Sequence, residues 1–407
     1  MMRIVYGGLT LFLILALLLW FFGCAKKGLV TEEFPPDFYR VPDKTQDIDV
    51  GENPTFIVYG DNRPGWRAQE KFVHHRNWKT WKMLIFPFYQ LYWLGNGIVG
   101  GVNRLRAVPD YGASERRMVR DAMLAVVERS DVDFIINTGD MPYDGRYPHH
   151  WGAFLQENKV ERDLLTALPF LPVIGNHEHA NDPRYGSRNF QAIFDTPPFY
   201  VLDFPDVALF VIDSNLILDQ YEDIDRSKQE ALFREWFVSG NPQQPAWLER
   251  ELGERTQRFK IVAMHHPPIS FGKHHIDWRE PNWGGNLQQK RRELLRLLGQ
   301  NGVQLVVCGH EHYYEHSFLP DSKLHIVVSG GGGVPLRDLP SQPKIQQMLN
   351  TYRSEGLTAQ LVKQAQEYHY CLITVDGAKL VIRALAVSRN EPARLIEEFA
   401  ITGEDRD

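Results

Sequence analysis

Seven short runs of β-branched, aliphatic and aromatic residues punctuate the chain, at 55–60, 132–139, 170–175, 207–213, 259–265, 303–309 and 324–329. Each is largely apolar rather than strictly alternating, and most stop at Gly, Asp, Asn or His, which predicts strands buried on both faces. Between them the spacing changes to a helical one. Residues 115–129, 151–168, 246–256 and 287–300 carry apolar positions three and four apart, with Met118, Ala122, Ala125 and Val126 on one stripe. Strands alternating with amphipathic helices predict an α/β architecture with helices covering sheet faces. No internal repeat interrupts the alternation.

The first residues follow a different pattern. No charged residue occurs from Ile4 to Ala25, Arg3 precedes this run and Lys26 and Lys27 follow it. Such a segment directs export, as either an uncleaved single-span anchor or a signal whose apolar stretch ends at Cys24. The second option resembles a bacterial lipoprotein signal, in which the cysteine becomes the lipid-bearing first residue, and it is the preferred reading. Both place the remaining chain outside the cytoplasm, on the periplasmic side of a membrane. The expected organisation is an anchor or signal at 1–27, a spacer at 28–53 and one folded domain at 54–403.

Composition narrows the function classes. Hydrophobic residues make up 43% and charged residues 24% of the 407, which excludes a disordered or multi-span chain. The formal charge of -6 argues against nucleic acid as a partner, because phosphate neutralisation needs a basic face. Three cysteines, without a Cys-x-x-Cys spacing, exclude both a disulfide scaffold and a four-cysteine zinc site.

The chemistry sits at the strand ends, where open α/β sheets collect functional groups. Asp61 follows Gly60, Asp140 follows Gly139, and Asn176-His177-Glu178 follows Gly175. His265-His266 precedes two prolines, and His310 and His312 follow Gly309. Any one of these has an ordinary explanation as a turn residue, cap or surface histidine. Five strand ends all delivering carboxylate, carboxamide or imidazole form a hard-oxygen plus imidazole set suited to Mn, Fe or Zn. The donors outnumber the needs of one tetrahedral ion, so the economical expectation is two metal ions. His149-His150 and His274-His275 lack strand ends before them and read as solvent-facing loop histidines.

In this order, Gly-Asp, Gly-Asp-x-x-Tyr, Gly-Asn-His-Glu, His-x-Pro and Gly-His-x-His resemble the signature of the calcineurin-like metallophosphoesterases, over about residues 54–333. The resemblance implies a four-layer α/β/β/α sandwich, with residues 368–387 adding late strands. It also implies hydrolysis of phosphate mono- or diesters by metal-bound hydroxide. One departure is informative: the commonest family form has Asp-x-His in the first block, whereas this chain has Asp61-Asn62-Arg63. Tyr143 stands three residues after Asp140, where purple acid phosphatases carry a tyrosinate ligand while also lacking that first histidine. The resemblance is thus to a purple-acid-phosphatase-like subset.

By that resemblance Asp61, Tyr143 and His312 hold one metal, Asn176, His265 and His310 the other, and Asp140 bridges. His265 is preferred to His266 because the family ligand stands two residues before the proline. His177 is the candidate to hydrogen-bond phosphate or protonate the leaving oxygen. Arg63 suits either a bidentate phosphate contact or a structural ion pair. The alternative function is a non-catalytic phosphate- or partner-binding module on the same fold.

Residues 66–113 stand apart, with seven Lys or Arg against Glu70 and Asp110, ten aromatics, and an apolar stretch at 83–102 broken by Pro87 and four glycines. This insertion suits either a segment at 78–102 lying in a lipid headgroup layer or an aromatic lid. The first option adds a second membrane contact and admits a lipid-linked substrate.

Overall fold

The computed structural model describes residues 48, 51, 53–63, 112–146, 148–159, 164–179, 183–218, 244–279 and 287–403. The anchor or signal at 1–27, nearly all of the spacer and the insertion up to residue 111 lie outside the described residues. Among the described residues no helix is long and apolar enough to cross a membrane.

Two sheets carry the fold. The first contains β1 (Thr55–Tyr59), β2 (Phe134–Asn137), β3 (Phe170–Pro172), β11 (His369–Asp376), β12 (Lys379–Ala386) and β13 (Arg394–Thr402), in the order β13-β12-β11-β1-β2-β3. The second contains β4 (Tyr200–Asp203), β5 (Val207–Val211), β6 (Phe259–Ala263), β7 (Leu305–Cys308), β8 (Tyr314–Leu319), β9 (Leu324–Ser329) and β10 (Gln360–Ala365), ordered β10-β8-β9-β7-β6-β5-β4. β1, β2 and β3 run parallel, as do β5, β6, β7 and β9. Those parallel strands are the apolar runs of the sequence, and all are buried on both faces.

Side chains alternate across each sheet, so every strand contributes to two cores. Phe56, Val58, Phe134 and Ile136 meet Leu209, Val211, Ile261 and Val307 between the sheets. Phe134 stacks between Phe56 and Phe204, at centroid distances of 4.7 and 5.2 Å. Truncating Phe134 to alanine would cost about 3–5 kcal/mol at such a site. The opposite faces are covered by helices. α1 (Ala113–Val127), α2 (Pro148–Lys159) and α3 (Pro183–Phe194) lie on the first sheet. α4 (Gln244–Glu254), α5 (Leu287–Gln300) and α6 (Gln342–Ser354) lie on the second. The architecture is therefore the expected four-layer α/β/β/α sandwich.

Several local expectations need correction. The buried stripe of α1 centres on Val119 and Met123, one position from the expected one, while Met118, Ala122 and Val126 flank it half-buried. The shift follows from Arg116 and Arg120, which are buried on this face, where the Arg116 guanidinium donates to both Glu157 oxygens on α2 at 2.7 and 2.9 Å. A paired arginine with a long aliphatic stem can occupy a packed face that an apolarity pattern assigns elsewhere. The expected helix at 151–168 begins earlier, at Pro148, and is described as α2 plus a separate turn at Leu164–Ala167. β4, β8, β10 and β13, with α3 and α6, have no counterpart in the apolar pattern because each keeps one face half-exposed or mixes polar residues into its core side.

Candidate metal centre

The parallel strands of both sheets end on one edge, and the loops leaving them bring the candidate ligands together. Asp61, Asp140 and His310 adopt left-handed backbone angles, with φ of 57°, 61° and 73°. Such a conformation disfavours residues with a Cβ and persists where surroundings over-determine it, which marks a functional turn. The Asp61 N–H donates to Gly139 O at 2.9 Å, and the His310 N–H donates to Asp61 Oδ2 at 2.7 Å. These bonds tie the first, second and fifth blocks to one another. The preceding glycines are required by close approach: a Cβ on Gly309 would lie 2.5 Å from Asp61 Oδ2, and one on Gly175 would lie 2.5 Å from Asp140 Oδ1.

Within this edge, His265 Nε2 lies 3.0 Å from Asn176 Oδ1, 3.1 Å from His310 Nδ1 and 3.3 Å from Asp140 Oδ1. His312 Nε2 lies 3.7 Å from Asp61 Oδ1. One donor atom each from Asp61, Asp140 and His265 fall within 4.8 Å of one another, and the same holds for His265, His266 and His310. His266 is held through Nδ1 by Ser214 Oγ at 2.8 Å, whereas His265 points at Asn176 and Asp140. Tyr143 adjoins the group by its ring, 5.8 Å from the His177 ring and 5.6 Å from the Arg63 guanidinium.

The imidazoles are oriented from behind. His265 Nδ1–H donates to Thr138 O at 2.8 Å and His312 Nδ1–H to Pro335 O at 3.0 Å, which leaves each Nε2 lone pair facing the carboxylates. His310 is reversed: Nε2–H donates to Asp277 Oδ2 at 2.7 Å and Nδ1 faces the centre. Burial holds all three imidazoles below their usual pKa, hence neutral and able to offer a lone pair.

The carboxylates supply the complementary test of fit. Asp61 is fully buried, and its Oδ1 accepts no hydrogen bond. Burial first, and the Asp140 charge second, push its carboxyl well above the usual range. Burial acts on Asp140 in the same sense, but His177, His265 and Arg63 outweigh it and hold that carboxyl down. Two acids in a dry pocket, one with an unmet oxygen, opposite neutral imidazoles, are the complement of bound cations. The residues present fit a metal centre with oxygen and imidazole donors.

Around it sit groups that the pattern of strand ends passes over. Glu178, between the loops, accepts N–H bonds from Asp140, Met141 and Gly175 at 3.0, 2.7 and 2.6 Å and so fixes the backbone carrying Asp140. Glu311, between His310 and His312, accepts from the His274 N–H at 2.6 Å and from Ser270 Oγ at 3.0 Å. Asp277 accepts from both His310 and His274, the latter at 3.0 Å. His274 is therefore no loop histidine facing solvent: its ring lies 3.9 Å from that of His310. His275 is half-buried, with Nδ1 bonded to Gly272 O at 2.7 Å. His150 is buried as well, 5.5 Å from the Tyr143 ring; the side chain of His149 lies outside the described residues. For Asp277 and His274 a signal that could have found them is their three-residue spacing, which suits one side of the 3₁₀ turn at Lys273–Ile276.

Arg63 Nε lies 3.6 Å from Asp140 Oδ2, so the ion-pair reading of this residue is realised. His177 donates Nδ1–H to Tyr143 O at 2.5 Å and presents Nε2 to Asp140 Oδ2 at 3.8 Å. Burial, then the Arg63 charge, bring His177 down to about 4.

Residues 113–314 match the family model described as calcineurin-like phosphoesterase, which begins at α1 and leaves out the strand before Asp61. Purple acid phosphatase 3 of Arabidopsis thaliana is 28% identical over 232 residues, covering 54% of this chain and 60% of that protein. Tartrate-resistant acid phosphatase type 5 of Sus scrofa is 24% identical over 281 residues, covering 61% of this chain and 74% of that protein. The chain thus spans about 60% of the length of the first of these relatives. Among solved structures, the purple acid phosphatase PPD1 from yellow lupin (Lupinus luteus) seeds superposes with a TM-score of 0.54 at 14% identity, over 87% of this chain and 54% of that one. GAP50, the anchor in the inner membrane complex of Plasmodium, gives 0.51 at 12% identity, over 86% and 89%. Both show a shared fold.

Proposed function

The chain belongs to the calcineurin-like metallophosphoesterases, in their purple-acid-phosphatase-like subset, and on that premise we propose that it hydrolyses phosphate mono- or diesters at a two-cation centre. The observation that carries the proposal is the convergence of Asp61, Asp140, Asn176, His265, His310 and His312, with the outer nitrogens of the three ligand imidazoles anchored to Thr138 O, Asp277 and Pro335 O. Asp61, Tyr143 and His312 would hold one cation and Asn176, His265 and His310 the other, with Asp140 between them. Bound there, Fe, Mn or Zn would supply charge neutralisation for the phosphoryl group and activation of a water near neutral pH.

The rest of the chemistry falls to the chain. Arg63, whose guanidinium lies 3.6 Å from Asp140 and 5.6 Å from the Tyr143 ring, would meet phosphate oxygens brought to the centre. His177 holds a neutral ring with Nε2 toward the centre. A phosphate dianion beside it favours the imidazolium, and Nε2–H is then the proton source for the leaving oxygen. The charge-free run before Cys24 and the basic, aromatic insertion support a further part of the proposal. The enzyme is exported, tethered to a membrane at its amino terminus as a lipoprotein, and acts on esters that include lipid-linked ones.

The test has two parts. Two bound ions per chain, together with hydrolysis of an aryl phosphate, would establish the class; a purified protein that binds neither metal nor phosphate would remove it. His177→Ala should slow an alkyl phosphate by about 10²–10⁴-fold and 4-nitrophenyl phosphate far less, because a good leaving group needs no proton. Equal loss on both substrates would make His177 a binding group.

A further inference from the structure

Beside the candidate centre a cavity of about 550 Å3 opens between the 273–276 turn and the first turn of α6. Its walls include Lys273, His275, Arg279, Leu339, Lys344 and Met348. Three cations line it against one acid, Asp338, which is bonded to Gln366 Nε2 at 3.4 Å. Arg279 is paired with Glu355 at 3.1 Å, and Lys344 is exposed on the first turn of α6. Partial burial first, and the Arg337 charge second, hold the Lys273 ammonium below its usual range against the opposing pull of Glu311 and Asp277.

Two stretches of chain connect the cavity wall to the centre. Lys273 is the neighbour of His274, whose ring packs on His310. Arg337 reaches His312 Nε2 at 3.4 Å, and Asp338, Leu339 and Pro340 continue from it along the cavity wall. A scissile phosphate alone fills only a small part of a space this large, which is in the range that holds a whole small molecule. Leu339, Pro340 and Met348 give the wall an apolar part, which suits a carbon spacer.

We propose that this cavity is a second anion subsite, which receives a distal phosphate or carboxylate of a substrate whose scissile phosphate lies at the metal centre. The inference rests on the phosphoesterase reading and adds the substrate class: esters carrying two anionic groups separated by a short apolar spacer. Lys273 and Lys344 recognise the distal group and take no part in the reaction itself.

The experiment uses the metal-loaded full chain and a series of α,ω-alkanediol bisphosphates with their matched monophosphates. At one spacer length the bisphosphate should show a kcat/KM about tenfold or more above its monophosphate, expressed in KM as expected for remote, uniform binding. Raised salt should shrink the gain. Lys344→Glu should erase it while leaving monophosphate hydrolysis unchanged; Lys344 is exposed on the first turn of α6, so the variant keeps its fold. Lys273→Ala should reduce it. Calorimetry with alkane bisphosphonates supplies a readout without turnover, in which Lys344→Glu should lose the affinity gained over the monophosphonate. A bisphosphate preference absent at every spacer length, or one that survives both substitutions, overturns the subsite. Absence of all monophosphate hydrolysis would instead count against the phosphoesterase reading, and the bisphosphonate titration would still decide the subsite.

Discussion

Asp277 Oδ2 accepts a 2.7 Å hydrogen bond from His310 Nε2 and fixes which imidazole nitrogen faces the metal centre. Burial works against ionisation of Asp277, but the His274 charge and the hydrogen bonds from His274 and His310 hold its carboxyl well below the usual range. An ionised partner behind a ligand imidazole raises ligand basicity and orients the ring. Asp277→Ala should therefore weaken metal affinity by about 10–100-fold, and Asp277→Asn by less, because the amide oxygen still accepts. Titration with chelator-buffered Zn or Mn measures this directly. Unchanged affinity in Asp277→Ala would make the contact a packing feature.

Asp61 is a site where function and stability oppose each other. Its carboxyl is buried beside the Asp140 charge and ionises only at a cost, so Asp61→Asn, which removes that charge, should stabilise the metal-free protein by about 1–3 kcal/mol. The His310 N–H keeps an acceptor in the amide oxygen. The same substitution should abolish the rise in Tm on adding metal. Thermal melts with and without metal decide it, and a variant melting lower in both states would contradict the account.

Asp140, ringed by His177, His265 and Arg63, carries more of the centre than any outer partner. Asp140→Asn should lower both metal content and hydrolysis by more than the roughly 100-fold expected from loss of an outer partner. Elemental analysis and turnover on one preparation read the two together; full metal content with full activity would refute the two-cation assignment.

Tyr143 is proposed as a phenolate ligand. Loading with ferric iron should then produce a visible absorption band that Zn-loaded protein lacks and that disappears in Tyr143→Phe. Iron-loaded protein without colour would leave Tyr143 as the packing partner of His150, His177 and Arg63.

Glu315 sets a pH dependence of stability away from the ligands. It is buried, accepts from the Phe271 N–H at 3.0 Å and from Gln364 Nε2 at 2.7 Å, and burial pushes it up to about 8. A folded-state pKa raised above the ordinary 4.5 means that the native state binds the proton more tightly. Its contribution is complete below the ordinary value and is lost as pH rises through about 8. Denaturant unfolding should show wild-type stability falling over that window relative to Glu315→Gln, by an amount on the order of a few kcal/mol. Parallel profiles for the two proteins would show that Glu315 is ionised throughout.

How much of this was legible beforehand depended on the kind of residue. The parallel strands could be read because double burial demands uninterrupted apolar runs, and Asp61, Asp140, Asn176, His265, His310 and His312 because each follows such a run within a few residues. α5 was read at its observed bounds, 287–300, since its buried positions carry leucines on one helical stripe. β8 and β10 were not, because Glu315 and His316 enter a strand whose charged groups find partners across the fold, in Gln364, Glu397 and Phe271. The same limit applies at the centre. A sequence shows that Asp277 is three residues from His274, but not that His310, from the other end of a strand and helix, arrives 2.7 Å away. Local pattern fixed which residues stand at strand ends; only packing of the two sheets decided which nitrogen of each histidine faces inward, which carboxylate goes unmet, and which cavity lies beside them.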